Sequence, residues 1–251
     1  MIKQLLGFFR TRRLFLLCMA FLCCRFVTEG KQLPGRGGLK IILKLVYNGK
    51  DLSLHNQACV NEKGDSLYID VLKYYLSNIR LKSSNGLNYA EKKSYHLVDA
   101  EDSASLVIYL TDLHEGSYTQ LQFQIGVDSL ANVSGALDGD LDPGKGMYWA
   151  WNSGYINAKL EGHPKVCHTL HQGFEFHIGG YLAPYRTIRS IALNIPELRV
   201  KTDNEPVLTI YCNVAKWLTD TDLTNTNSVL IPGKLAVKFA DNYKEMFSLG
   251  R

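Results

Sequence analysis

His163-Pro164-Lys165-Val166-Cys167-His168-Thr169-Leu170-His171 gathers three imidazoles and a thiol within nine residues. Borderline and soft donors at that density can chelate Cu(I) or Zn(II). The spacing fits no fixed ligand motif, and with one cysteine beside His168 the haem-attachment pattern Cys-x-x-Cys-His is not met. Pro164 marks the segment as a loop, so incidental surface histidines are the alternative reading. Asp138, Asp140 and Asp142 alternate in a Gly/Pro turn like the opening of a calcium loop. Pro143 and Trp149 then stand where an EF-hand needs Gly and a bidentate Glu, which favours a solvated turn. Neither a Gly-x-Ser-x-Gly elbow nor a Gly-x-x-x-x-Gly-Lys-Ser/Thr phosphate cradle occurs, and no nucleophile stands beside an evident base. The expectation is a binding protein rather than an enzyme.

Several segments must deliver and position these groups. Lys3, Arg10, Arg12 and Arg13 precede an apolar run from Leu14 to Cys24, with no acidic residue before Glu29. That is the layout of an export signal, and the run stops at Arg25, short of the roughly 18 to 20 apolar residues a bilayer span needs. A signal peptide is expected over 1–27, which places the mature protein in the cell envelope, periplasmic or surface-exposed. Arg12-Arg13 also fits a twin-arginine signal, and Cys23 or Cys24 a lipid anchor that would attach the chain to the membrane. The net charge of +4 loses the five cations Lys3, Arg10, Arg12, Arg13 and Arg25 with that leader, and 4 − 5 leaves −1. No basic tract remains to neutralise phosphates, so nucleic acid is excluded as a partner. Beyond the leader lie Cys59, Cys167 and Cys212, an odd number whose pairing the sequence leaves open.

Residues 28–38, rich in Gly and Lys with Pro34, read as a linker, followed by one domain over 39–251. Short runs with β-branched and aromatic residues follow at 39–47, 67–81, 105–110, 118–127, 147–160, 174–178, 187–194 and 207–214. In the fourth, Leu121, Phe123 and Ile125 alternate with glutamines, the period of a half-buried strand. Asn48-Gly49, Asn85-Gly86 and His114-Glu115-Gly116 read as hairpin turns. Strands in succession without crossover helices predict an all-β fold, an antiparallel β-sandwich in a single domain. A short C-terminal helix is expected over 237–247, with Val237, Ala240, Tyr243, Lys244 and Phe247 near one face.

The stretch from Gly126-Val127-Asp128-Ser129 through Asn132-Val133-Ser134-Gly135 and Leu141-Asp142-Pro143 to Gly146-Met147-Tyr148-Trp149-Ala150-Trp151-Asn152-Ser153-Gly154-Tyr155-Ile156 and Lys159-Leu160-Glu161-Gly162 resembles the MbnP-like family. The likeness resumes at Phe176-His177-Ile178-Gly179-Gly180 and at Phe239-Ala240-Asp241-Asn242-Tyr243. The resemblance implies copper held outside the cytoplasm by histidines and by kynurenine, an oxidised tryptophan made by a partner haem oxidase. Ring opening gives an aromatic amine, a donor that intact indole lacks; with imidazole it would suit copper. By this analogy Trp149 or Trp151 is the ligand precursor and His177 the imidazole. The histidine that relatives carry in the loop reading here Ser129-Leu130-Ala131-Asn132-Val133 is missing, so a second imidazole is sought in His96 or His114. On the residues alone, Trp149 and Trp151 share one strand face as core aromatics, and His177 among Phe174, Phe176 and Ile178 is a hydrogen-bonded structural residue. A second function from another class is a glycan- or protein-binding surface built on the aromatic segment from Met147 to Tyr155.

Overall fold

Most of the chain alternates apolar and polar side chains, and the computed structural model, which describes residues 35–83, 86, 88–152, 154–164 and 173–250, shows where each run lands. The first part forms β1 (Arg36–Tyr47), β2 (Lys50–Asp51), β3 (Cys59–Val60), the long β4 (Ser66–Ser83), β5 (Asn88–Ala90) and β6 (Tyr95–Asp99). A 3-10 turn capped by Asp102 leads into β7 (Val107–His114) and β8 (Gly116–Ile125), then helix α1 (Ser129–Val133) and β9 (Tyr148–Trp149). The remainder is β10 (Gly154–Pro164), β11 (Phe174–Gly179), β12 (Arg189–Val200), β13 (Val207–Asn213), β14 (Ser228–Val229), helix α2 (Lys234–Lys244) and β15 (Phe247–Ser248).

These strands form two sheets, one ordered β15-β13-β1-β2 with β7 also on β1, the other β12-β8-β4-β10-β11-β14 with β3, β5 and β6 also on β4 and β9 on β10. Their main core takes Leu39, Ile41 and Leu43 from β1, Leu121, Phe123 and Ile125 from β8, and Phe174, Phe176 and Ile178 from β11. Each such side chain contributes about 1.5–3 kcal/mol when fully buried. The fold is the expected single-domain β-sandwich with a C-terminal helix. Its sheets are mixed rather than wholly antiparallel, because β1 pairs with β13 and β11 with β14 in parallel.

Three local expectations change. The chain at His114-Glu115-Gly116 is no hairpin: β7 belongs to the sheet of β1 and β8 to the other, so the turn carries the chain from sheet to sheet. Residues 36–38 of the expected linker open β1, and Gly37 lies where a Cβ would stand 2.3 Å from the Lys201 carbonyl oxygen. There glycine serves close packing rather than slack. The helix begins at Lys234, after Pro232-Gly233, and buries Ala236, Phe239, Ala240 and Tyr243. Phe239 sits 4.3 Å from the Phe176 ring. Phe247 leaves the helix to pair with Cys212 in β15, and its ring packs edge-on against Phe123.

β4 is the strand that opens a second core. On one edge it pairs with β10 along its first half, residues 67–74, and with β8 along its second, residues 76–83. The opposite edge takes β3, β6 and β5 in turn. β8 and β10 therefore part company at Tyr75, and a smaller core fills the opening with Tyr75, Leu97, Val127, Met147, Trp149 and Tyr155.

Candidate metal centre

Construction of this smaller core starts at Gly126, where φ is +106 and a Cβ would lie 2.6 Å from Asn157 Cγ. Glycine alone accepts that backbone and that approach together. The turn lets the Val127 N–H donate to Asn157 Oδ1 at 2.9 Å, while Asn157 Nδ2 donates to Thr187 Oγ1 at 2.8 Å. Asp128 caps α1 by accepting from the Ala131 N–H at 3.0 Å and also accepts the Tyr95 hydroxyl at 2.7 Å. Buried Asn132 donates to the Val127 and Asp128 carbonyls and accepts the Tyr155 N–H at 2.9 Å. The Tyr155 hydroxyl donates to the Leu141 carbonyl and accepts the Leu137 N–H. Gly126, Asp128, Asn132 and Tyr155 thus form a hydrogen-bonded frame, and what it holds is the hairpin of β9 and β10.

Residues 147–160 are consequently not one strand. β9 pairs back on β10, Trp149 with Gly154 and Tyr148 with Tyr155, and the chain reverses through Ala150, Trp151 and Asn152. The two tryptophans do not share a strand face: Trp149 is 6% exposed and Trp151 63%, with ring centroids 5.6 Å apart. The Trp149 ring lies over Gly179, where a Cβ would meet Cζ3 at 2.5 Å. Gly179 follows His177 by two residues on β11, about 7 Å along the strand, so the indole packs on the strand face that also carries the imidazole. Trp149, Tyr155, Tyr181, Tyr185, Asn132 and Asn152 line an adjacent pocket of about 230 Å³.

His177 Nε2 lies 2.7 Å from Glu161 Oε1, and Lys159 Nζ stands 3.4 Å from the same oxygen. Burial holds the imidazole below its ordinary pKa, with Lys159 adding to the effect, against the opposite pull of the bond to Glu161. Burial raises the Glu161 carboxyl, but the bonds from His177 and Lys159 outweigh it and leave the group below the usual carboxylate range. His177 is therefore neutral near pH 7, the form that ligates metals. With Nε2–H donating to Glu161, Nδ1 carries the free lone pair.

The other expected donors are placed elsewhere. His96 bonds Glu91 Oε2 at 2.8 Å from β6, and β4 and β10 separate β6 from β11. Three interstrand steps amount to about 14 Å, whereas ligands of one ion stand about 3–4 Å apart. His96 and His177 do not reach a common ion in this arrangement. His114 ends β7 in the other sheet. His163 ends β10, while Cys167, His168 and His171 lie outside the described residues. Cys59 and Cys212 are buried free thiols, pushed by burial up to about 11 and about 12. Asp140 pairs with Lys145 and accepts the Leu97 N–H, and Asp142 accepts the Gly144 N–H. Among the described residues no three His, Cys, Asp or Glu side chains already stand about a point as a metal cage.

One cluster is invisible in the sequence. Asp70 of β4 meets His163 through Oδ2 and His55 through Oδ1, and His55 also meets Glu101. His163 lies 93 positions from Asp70 along the chain. Only His163 stands out along the chain, for its sequence neighbours rather than for its partner across the strands.

A family model described as MbnP matches residues 36–232. Among solved structures, MbnP from Methylosinus trichosporium is similar at a TM-score of 0.57 and 14% sequence identity, over 80% of this chain and 87% of that one. At that identity the likeness speaks for the fold. No curated protein matches the chain.

Proposed function

The chain belongs to the MbnP family, and on that premise we propose that it is an exported, non-catalytic protein that binds or handles copper in the cell envelope, through His177 and an oxidised tryptophan. The observation behind the proposal is the placement of the Trp149 ring on Gly179, on the β11 face that bears His177. Burial keeps that imidazole neutral, and Glu161 fixes its tautomer, an outer-shell arrangement common to metal-ligating histidines. Trp149 is the ligand precursor in this reading. Exposed Trp151 gives a partner haem oxidase a surface to meet, and the 5.6 Å between the rings keeps the two indoles in contact range. The test is metal analysis of the protein isolated from its native cells, joined to peptide mass spectrometry over Trp149 and Trp151. Bound copper with a ring-opened indole supports the proposal; absence of copper with both indoles intact contradicts it.

A second reading rests on the 230 Å³ pocket. Tyr181, Tyr185 and the 63%-exposed Leu182 beside Trp149 make an aromatic-lined recess of the kind that receives a sugar or a partner's side chain. Retained glycan binding in His177→Ala, together with its loss in a folded Tyr185→Ala, would favour this surface over copper.

A further inference from the structure

At the far end of β10 from the tryptophans, two histidines share one carboxylate. His163 Nδ1 lies 2.6 Å from Asp70 Oδ2 and His55 Nδ1 lies 3.2 Å from Asp70 Oδ1, while His55 Nε2 lies 3.3 Å from Glu101 Oε1. Strand pairing builds half of this: His163 is the cross-strand partner of Tyr68, and its ring stacks on the tyrosine at 5.2 Å. The loop between β2 and β3 supplies the rest. His55 holds φ +64, an uncommon conformation for a residue with a side chain, and its N–H donates to the Ile69 carbonyl at 2.8 Å. Among the described residues neither Asp70 nor Glu101 pairs with a Lys or Arg.

From this we infer a binding site for a divalent first-row transition metal, with His55 Nδ1, His163 Nδ1 and the Asp70 carboxylate as ligands and Glu101 as the outer partner of His55. Two imidazoles and a carboxylate are the donor set such ions favour. Ligands about 2.0–2.1 Å from an ion stand roughly 3 Å apart, close to the two nitrogen–oxygen spacings at Asp70; the three side chains do not yet surround one point, so the imidazoles must turn about the carboxylate to enclose the ion. As it stands, each Nδ1 faces its own oxygen of Asp70, an arrangement held by a ring proton. The ion replaces those protons, and the contact between His163 and Asp70 opens slightly to admit it. Glu101 is then where a metal-ligating histidine needs an acceptor, on the opposite ring nitrogen, which it fixes as N–H. Side-chain exposures of 52% for His55 and 43% for His163 give an ion access. The site is independent of the Trp149 face and of the copper reading.

The test is calorimetric titration of the metal-free full chain with Zn²⁺ at neutral pH, with His55→Ala, Asp70→Asn, Glu101→Gln and His177→Ala beside the wild type. Far-UV circular dichroism and urea melts in metal-free buffer check each fold. We expect one Zn²⁺ per chain in the wild type, at least about tenfold weaker binding in His55→Ala and Asp70→Asn, about tenfold in Glu101→Gln, and no change in His177→Ala. Equal Zn²⁺ affinity in folded His55→Ala and wild type overturns the site, as does absence of binding by the wild type. If Asp70→Asn fails to fold, His55→Ala, altered only on an exposed loop, decides.

Discussion

Gly179→Ala isolates the contact on which the Trp149 face depends. Gly179 needs no left-handed backbone, so an alanine there is conformationally acceptable, and any cost comes from its Cβ. That atom would stand 2.5 and 2.6 Å from Trp149 Cζ3 and Cη2 and 2.8 Å from the Tyr155 carbonyl oxygen. Ordinary carbon contact is about 3.5–4.0 Å, so the indole must retreat by about 1 Å inside a packed core. Overpacking of this size costs about 1–3 kcal/mol; with a urea m-value of about 2 kcal/mol/M the midpoint falls by about 0.5–1.5 M. Tryptophan emission should shift as the ring moves. Trp149→Ala alone should cost about 3–5 kcal/mol, and in that background Gly179→Ala should cost distinctly less, since the clashing ring is gone and only the 2.8 Å approach to the Tyr155 carbonyl oxygen remains. Equal effects of Gly179→Ala with and without Trp149, or a stabilised single variant, would refute the packing and with it the shared face of Trp149 and His177.

Asn132→Ala leaves the Tyr155 N–H and Val127 carbonyl without their partner and should cost about 2–3 kcal/mol in urea melts; a loss under about 1 kcal/mol would remove Asn132 from the frame. His177, Glu161 and Asp128 all have folded pKa values below their ordinary ones, so the folded state binds fewer protons and stability is greatest above the ordinary values. The urea midpoint should decline as pH falls below about 6.5, through His177, and again below about 4.5, through the two carboxylates; His177→Gln should remove the first decline. Burial keeps Cys59 and Cys212 as neutral thiols, so iodoacetamide at about pH 8 should label neither in the folded protein and both in urea, as read by peptide mass spectrometry. Rapid native labelling of Cys212 would contradict its complete burial.

Strand identity is legible wherever period-two patterning meets a flat sheet, as in β8 with Leu121, Phe123 and Ile125, and β11 with Phe174, Phe176 and Ile178. The β9–β10 hairpin is not, because a two-residue strand followed by a tight reversal carries too few residues to show a period. Trp149 and Trp151 then look like same-face neighbours although one is buried and the other exposed. The glycines and polar residues of the family stretch are legible as a pattern but not as roles. Asn132 and Tyr155 act through partners many residues away, and Gly126 through the approach of Asn157. His96 reads as a second imidazole along the chain, but β4 holds β6 and β10 on opposite edges and so keeps it from His177. The His55–Asp70–His163 cluster depends on strand register and on one loop conformation, neither of which chain spacing encodes.

Copper K-edge X-ray absorption on the copper-loaded protein isolated from its native cells reads the ligand set itself. A nitrogen-rich first shell is expected, with imidazole outer-shell scattering that diminishes in His177→Ala. An unchanged spectrum in that variant, or a shell dominated by sulfur, would rule out copper held by His177 and an oxidised tryptophan.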